Sequence, residues 1–221
     1  MFTGIIEAVG SVASVENKQG DLRLAINTGS LDLADVRLGD SIATNGVCLT
    51  VVELPGDGFV ADVSRESLAH TQIGHWRKGT AVNLEKAMMP TTRMGGHIVT
   101  GHVDGSGTIK KRNADARSIQ FVIEPPANLK KYIAAKGSIT VDGVSLTANA
   151  LNATGFELNI VPHTAKETTL YAAKEGQQVH LEVDIIARYL EQLLAGGKDG
   201  TATATHSGIS QAFLAKNGFW K

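Results

Sequence analysis

The chain has 221 residues, 43% of them hydrophobic, so it is long enough for one large domain or two small ones with packed cores. Its 21 lysine and arginine residues balance 22 aspartate and glutamate residues, which argues against nucleic acid or a membrane as partner, because both need clustered basic charge. The single Cys48, the lack of a signal-peptide pattern and the lack of a long apolar run predict a cytoplasmic protein without an intrachain disulfide or a membrane span.

The first half of the chain predicts short strands joined by tight turns. A short helix is predicted over residues 30–38. Asn45-Gly46 supplies the positive φ angles of a two-residue hairpin turn, and after it Val47, Leu49 and Val51 alternate with smaller or more polar side chains, as in a half-buried strand. Further strands are predicted over residues 59–63 and 81–85.

The second half repeats the first at a constant offset of 97 residues. The hairpin turn recurs as Asp142-Gly143, a short helix is predicted over residues 128–136, and strands are predicted over 144–147 and 178–182. Two copies of this length are better explained as two similar domains than as a solenoid. Other matched pairs are Thr3-Gly4 with Thr100-Gly101, Ser41-Ile42 with Ser138-Ile139, and Leu84-Glu85 with Leu181-Glu182.

Short strands at regular spacing predict an all-β fold of two similar closed barrels, because closure removes exposed strand edges. We bound the barrels at residues 1–97 and 98–183. A helix is predicted over residues 184–196, with Asp184 as its N-cap, and residues 197–221 are expected to form a linker and a tail with a short helix over 210–217.

The predicted helix over residues 184–196 has an apolar stripe at helical spacing. This stripe either packs on the helix's own barrel or is buried against other subunits. We favour oligomerisation, because two self-contained barrels precede the helix. The stripe consists of Ile185, Ile186, Tyr189, Leu190, Leu193 and Leu194.

Small polar side chains at matched positions predict a pocket in each barrel. Cys48 shares a strand face with Thr50, as Ser145 does with Thr147. Cys48 is either a nucleophile or a small buried hydrophobe. From spacing alone we expect two similar pockets of unequal polarity, which suits the binding of two copies of one small molecule or of one molecule with two like halves.

Two histidines in the middle of the chain are further candidates. His97 and His102 lie among glycines, but a metal site would need a third ligand, and none is evident, so a substrate-facing or internally satisfied imidazole explains them better. The glycines lack the Lys-Ser/Thr ending of a phosphate loop. As bare residues, Lys136 and Asp184 suit solvated or capping roles, and the matched Glu66 and His163 suit loop positions.

On its motifs the chain resembles riboflavin synthase of the α-chain type, over residues 1 to about 195. The resemblance implies two six-stranded Greek-key barrels and a C-terminal helix that forms homotrimers. It also implies association with lumazine synthase and no redox cofactor or metal. The motifs are MFTGII at residues 1–6, NGVCLTV at 45–51, GGHIVTGHVDG at 95–105, DGVSLT at 142–147 and HTAKETTL at 163–170.

The activity implied by the resemblance is a dismutation. Two molecules of 6,7-dimethyl-8-ribityllumazine exchange a four-carbon unit and give riboflavin and 5-amino-6-ribitylamino-uracil. The pteridine ring serves as electron sink when its C7 methyl group loses a proton. The two substrates meet face to face between the N-terminal barrel of one subunit and the C-terminal barrel of a neighbour, so that proximity supplies much of the rate.

The resemblance also implies the site residues. Cys48, His102, Ser145 and Asp184 are similar to residues that assist proton transfer or nucleophilic attack, with Phe2 and Ser41 in support, and the general base is left open. The first-barrel site is expected to comprise Gly4, Ile5, Ile6, Ser41, Cys48, Leu49, Thr50, Asp62, Val63, Ser64, Arg65, Glu66 and Ser67. The second-barrel site is expected to comprise Gly101, His102, Val103, Lys136, Ser145, Leu146, Thr147, Val161, Pro162, His163, Thr164, Ala165 and Lys166.

Two other classes compete with the enzyme. Lumazine-carrying antenna proteins share the duplicated barrel but bind one chromophore without turnover, and an unrelated flavin-binding module would explain neither repeated motif. We favour the enzyme because the polar positions of both pockets are present. The pairing of Ile5 with His102 leads to the hypothesis that one pocket holds the donor and the other the acceptor, which full turnover by a His102→Ile protein would refute.

Overall fold

Two antiparallel sheets, one from each half of the sequence, form the computed structural model, which describes residues 1–18 and 20–196. The first sheet is built from β1 (Ala8–Lys18), β2 (Asp21–Asn27), β3 (Ser41–Thr44), β4 (Val47–Thr50), β5 (Gly58–Val63) and β6 (Ala81–Lys86). The second is built from β7 (Gly105–Asp115), β8 (Ser118–Glu124), β9 (Ser138–Val141), β10 (Val144–Thr147), β11 (Ala150–Leu151), β12 (Phe156–Ile160) and β13 (Gln178–Val183).

The strand orders of the two sheets match position for position. They are β4-β3-β6-β1-β2-β5 and β10-β9-β13-β7-β8-β12-β11. Both long first strands carry a register shift at the matched places, between Val12 and Ser14 and between Ile109 and Lys111. Such bulges increase the local twist that a closed sheet needs. The described helices are α1 (Arg65–His70), α2 (Pro162–Lys166) and α3 (Ile185–Gly196), with 3₁₀ helices at Ile73–His75, Ala127–Tyr132 and Thr169–Tyr171.

Each sheet curls until its two outer strands meet. Beyond β4, the Val52 N–H donates to the Val60 carbonyl at 2.8 Å, and Glu53 forms an isolated bridge with the same residue of β5. In the second sheet, β11 follows β10 after two residues and pairs with β12. The prediction of two six-stranded Greek-key barrels with a C-terminal helix is confirmed, with β11 as an additional short strand.

The predicted hairpin turns are confirmed, and they also touch each other. Asn45 and Asp142 have φ angles of 46° and 45°, and the glycines that follow have 80° and 82°. A Cβ on Gly46 would lie 2.8 Å from the Gly143 nitrogen. Glycine is therefore required at these two positions by the turn and by the close approach of the barrels.

Each barrel has its own apolar core. Phe59, Ile42 and Leu84 are fully buried in the first core, and Phe121 and Ile139 in the second. A third, small cluster lies where the first residues of the chain run antiparallel to residues 97–99, and it consists of Phe2, Ala43 and Val99. Burying aromatic and branched side chains of this size contributes about 1.5–3 kcal/mol each.

The predictions of two helices inside the barrels are wrong, the first because no helix forms and the second because a shorter 3₁₀ helix forms. Residues 30–38 form turns and irregular backbone. The Asp32 carboxylate accepts from the Ala34 N–H, a local bond that competes with helical hydrogen bonding, and a helix of nine residues is too short to form without support. Of the helix predicted over 128–136, only the 3₁₀ helix Ala127–Tyr132 forms, since Ile133 adopts extended backbone.

The helix that follows the second barrel begins as predicted. The Asp184 carboxylate accepts from the Ile186 N–H at 2.9 Å and caps α3. Residues Met1–Arg188 form one compact unit, and the part of α3 from Tyr189 onward lies outside it. None of the described helices is long and apolar enough to cross a membrane. The linker and tail predicted for 197–221, with their helix over 210–217, lie outside the described residues.

Candidate functional site

Two short segments cross from one barrel to the other. The Ser145 N–H of the second barrel donates to the Gly4 carbonyl at 2.7 Å. The Cys48 N–H of the first barrel donates to the Gly101 carbonyl at 2.8 Å. Each Thr-Gly segment therefore extends the hairpin of the opposite barrel, next to the strand whose outer face carries the small polar side chains.

This crossing corrects the predicted grouping of the site residues. Gly4, Ile5 and Ile6 were assigned to the first-barrel site, but they lie beside the second barrel, where Ile6 packs on the core. Gly101, His102 and Val103 were assigned to the second-barrel site, but they lie beside the first barrel, where Val103 packs on the core. A sequence repeat matches positions in the chain and cannot show which barrel a segment contacts.

A buried glutamate of the segment's own barrel anchors each crossing segment. Glu85 Oε1 accepts from the N–H and hydroxyl of Thr3 at 2.6 and 2.7 Å, and its Oε2 accepts from the Gly4 N–H at 2.9 Å. Glu182 holds Thr100 and Gly101 in the same way, at 2.7, 2.7 and 3.0 Å.

Both glutamates are acidic groups in an enclosed setting. Burial raises the pKa of Glu85 and of Glu182, and the hydrogen bonds from the crossing segments pull each pKa back down. Sequence reasoning missed both as functional residues, although the repeated Leu-Glu pair was a signal for them.

A cavity of about 360 Å³ opens beside the second barrel. It brings together five of the predicted residues with two amides that sequence reasoning missed, Asn149 and Asn159. Amide and hydroxyl groups around an apolar floor suit the hydrogen-bonding edge of a flat heterocycle and a sugar-like chain. The lining consists of Ser145, Leu146, Thr147, Asn149, Asn159, Ile160, Val161 and Thr164.

The matched face of the first barrel carries charges instead. Arg23 pairs with Asp62 at 3.1 Å and with Glu53. In the second barrel, Asn159 stands at the position of Asp62 and Gln120 at the position of Arg23. At these matched positions the first barrel therefore carries an ionic network and the second carries neutral amides.

Several predicted residues face a core rather than a pocket. Leu49 and Val63 are buried in the first barrel, and Ala165 is buried in the second, so only their backbone groups can reach a ligand. Other predicted residues lie on the short helices. Ser64, Arg65 and Glu66 are exposed and Ser67 is half-buried around α1, where Ser64 caps the helix by accepting from the Ser67 N–H, and Pro162, His163 and Lys166 are exposed on α2.

His97, a residue outside the predicted site set, forms a hydrogen bond with a residue that lines the second pocket. Its Nδ1 lies 2.7 Å from the Ser145 hydroxyl and its Nε2 lies 3.2 Å from the Thr140 hydroxyl. Burial lowers the pKa of His97, and the charge of Asp184 opposes this shift. The imidazole is therefore neutral near pH 7, with one nitrogen donating and the other accepting.

Two catalytic candidates, His102 and Ser41, and the predicted substrate-binding residue Lys136 lie outside the cavity beside the second barrel. His102 is exposed and follows the carbonyl that binds the Cys48 N–H, and Ser41 pairs with Thr50 in the first barrel. Lys136 is exposed at a φ angle of 66°. Among the described residues, no cluster of three or more histidine, cysteine or acidic side chains could hold a metal ion.

Comparisons with known proteins match both halves of the chain. The lumazine binding domain family matches residues 3–87 and 100–184. A riboflavin synthase of Photobacterium phosphoreum is 51% identical over 219 residues, which covers 99% of both chains. One from Bacillus subtilis is 39% identical over 219 residues, 99% of this chain and 100% of its own. The crystal structure of LumP complexed with 6,7-dimethyl-8-(1'-D-ribityl) lumazine has the same fold, with a TM-score of 0.75 at 24% identity over 83% of this chain and 99% of LumP.

Proposed function

The chain belongs to the riboflavin synthase family, an enzyme family of duplicated lumazine-binding domains, and from this premise we propose that it catalyses a dismutation of 6,7-dimethyl-8-ribityllumazine. One molecule transfers a four-carbon unit to a second, which gives riboflavin and 5-amino-6-ribitylamino-uracil. The exchange balances without a further reactant, since the carbon unit that one molecule loses is the unit that the other gains.

The observation that carries this proposal is the polar cavity beside the second barrel, together with a matched face of the first barrel that carries different side chains. Two identical molecules can react as donor and acceptor only if their surroundings differ. The ionic network at Asp62 and the neutral amide of Asn159 supply that difference on the same backbone frame. Proton loss from the C7 methyl group leaves a charge that the ring delocalises, and the carbanion attacks the second molecule.

The proposed chemistry requires the two pockets to face each other. We assign this to neighbouring subunits of a homotrimer, so that one subunit offers its first barrel and the next its second. Supporting this assignment, the apolar stripe of α3 is exposed from its second residue, Ile186, which is 61% exposed, through Tyr189, Leu190, Leu193 and Leu194. Apolar helix faces of this kind are typical of subunit interfaces.

The domain boundaries belong to the same proposal. Residues 1–97 and 98–183 are the two lumazine-binding domains, 184–196 the oligomerisation helix, and 197–221 a linker and tail. A cytoplasmic location is also proposed, supported by Cys48 being a free thiol. Association with lumazine synthase stays a prediction.

The test is direct conversion of the lumazine substrate by purified protein. We expect riboflavin to form with one 5-amino-6-ribitylamino-uracil per riboflavin and two substrate molecules consumed. Stable bound fluorescence without product would instead support an antenna protein that carries one chromophore. Sedimentation of the same sample separately tests the trimer.

A further inference from the structure

The Ser145 hydroxyl has a partner that the repeat does not supply. His97 lies in the connection between the copies, outside both stretches that match the lumazine binding domain, 3–87 and 100–184. Its second partner, Thr140, corresponds to Ala43 in the first barrel, which has no hydroxyl. The hydrogen-bonded series Ser145–His97–Thr140 therefore belongs to the second pocket alone and has no counterpart in the repeated part of the first barrel.

The backbone around His97 is tightly placed. Its N–H donates to the Thr3 carbonyl at 3.2 Å. A Cβ on the preceding Gly96 would lie 2.1 Å from that same carbonyl and 2.7 Å from the Ser145 hydroxyl oxygen. The connection therefore passes directly over Ser145, and no larger residue fits at position 96.

The surroundings of the imidazole set its role. Thr140 is 1% exposed, so its hydroxyl is held away from water. The charge of Asp184 raises the pKa of His97 against the larger lowering by burial. Of the three hydrogen-bonded residues, Ser145 is the one that lines the cavity. A hydroxyl bonded to a fixed nitrogen loses its free rotation, and its remaining donor or acceptor capacity points elsewhere.

We propose that His97 is a positioning residue that fixes the Ser145 hydroxyl toward the heterocycle bound in the second pocket. The inference rests on the proposed function, because the bound molecule is taken to be a lumazine. His97 itself does not contact the substrate. It sets whether Ser145 donates to or accepts from the polar edge of the ring, and Thr140 holds the second ring nitrogen in place.

The experiment uses variants that separate the two imidazole nitrogens. His97→Asn places an amide near the position of Nδ1 and keeps a partner for Ser145, whereas His97→Gln reaches the position of Nε2 and does not. Ser145→Ala, the two double variants and the control His75→Gln, which alters an exposed histidine, complete the set. The kcat and KM of riboflavin formation are measured for each, with thermal melting as a check on folding.

We expect His97→Gln to lower kcat about tenfold with KM within about threefold, and His97→Asn to recover most of the loss. In the Ser145→Ala background the glutamine substitution should have no further effect, because the group that it positions is gone. An equal loss in both backgrounds, or wild-type kcat in His97→Gln, overturns the inference. A wild-type protein that forms no riboflavin overturns the proposed function as well, and the two failures are thereby distinguished.

Discussion

At the scale of single residues, the matched faces of the two barrels differ in side chains and also in which residues reach them. Cys48 stands beside the segment that contains His102, whereas Ser145 stands beside the segment that contains Ile5 and is bonded to His97. The sequence comparison of Ile5 with His102 implied that one site has an imidazole and the other has none. The structure associates one histidine with each site, from different parts of the chain.

Lys136 gives a prediction at this scale. It occupies a left-handed φ of 66° where the first barrel has Gly39 at 92°, and a side chain there costs on the order of 1 kcal/mol. We expect Lys136→Gly to change the free energy of unfolding by less than about 1 kcal/mol while weakening lumazine binding, because the charge is lost. Chemical denaturation and fluorescence titration check this. Unchanged affinity would show that the side chain does not reach the ligand.

At the scale of elements, the crossing segments depend on their glutamates. Carboxylate oxygens accept all three hydrogen bonds from Thr100 and Gly101, and no other described group replaces them. The same holds for Glu85 with Thr3 and Gly4. These anchors lie next to the pockets, so their loss should affect both stability and turnover.

We therefore expect Glu182→Gln to lower the free energy of unfolding by about 2 kcal/mol, because the amide NH₂ would face N–H donors and leave one unpaired. Turnover should fall as well, since His102 follows the released segment. Denaturant unfolding and the riboflavin assay measure the two effects. Glu157→Gln is the matched control and should leave both unchanged, because among the described residues the Glu157 carboxylate accepts only from the Asn152 side chain at the barrel surface.

At the scale of the whole molecule, a matched set of buried polar groups joins the barrels. His180 Nδ1 donates to the Asn45 carbonyl at 2.8 Å, and its Nε2 accepts from the Gln72 N–H at 2.7 Å. The corresponding Asn83 donates to the Asp142 carbonyl, and its side-chain oxygen accepts from the Thr169 N–H, both at 2.8 Å. Burial lowers the pKa of His180 to about 4, so the neutral ring joins the barrels.

Asp142 gives a prediction about pH. Burial raises its pKa to about 7, above the value of about 3.9 in an unfolded chain. Folding therefore favours the protonated acid, and its stabilising contribution is complete below about pH 4 and is lost as the pH rises through 7. Asp142→Asn copies Asn45 at the matched position and should raise the free energy of unfolding at pH 8 by at least about 1 kcal/mol, with little change at pH 4. A gain of equal size at both pH values would contradict the titration of Asp142.

The proposed sharing of each site between two subunits predicts complementation. Thr50→Trp and Thr147→Trp each place a bulky ring at an exposed position of one pocket, and each should abolish turnover alone. Co-expressed chains should recover about a quarter of wild-type activity, because random assembly leaves that share of sites with two open pockets. Either variant co-expressed with itself is the control. A mixture without recovery would place both pockets of a site on one chain.

The sequence by itself determined the features that depend on neighbouring residues. The positive φ angles of Asn45-Gly46 and Asp142-Gly143, the alternation along β4 and β10 and the Asp184 cap are local properties, so they were predicted correctly. The predicted helices over 30–38 and 128–136 were not formed as such, because the tertiary packing and local side-chain bonds outweighed a weak propensity.

Only the tertiary structure decided which barrel each crossing segment contacts. The bonds from Ser145 to Gly4, from Thr3 to Glu85 and from His97 to Ser145 join residues 141, 82 and 48 positions apart. A repeat shows that two such segments exist, but the strand pattern would be the same whether each segment packed on its own barrel or on the opposite one. The choice is made by packing and by buried acceptors that lie far away along the chain, and these are not visible in any local stretch of residues.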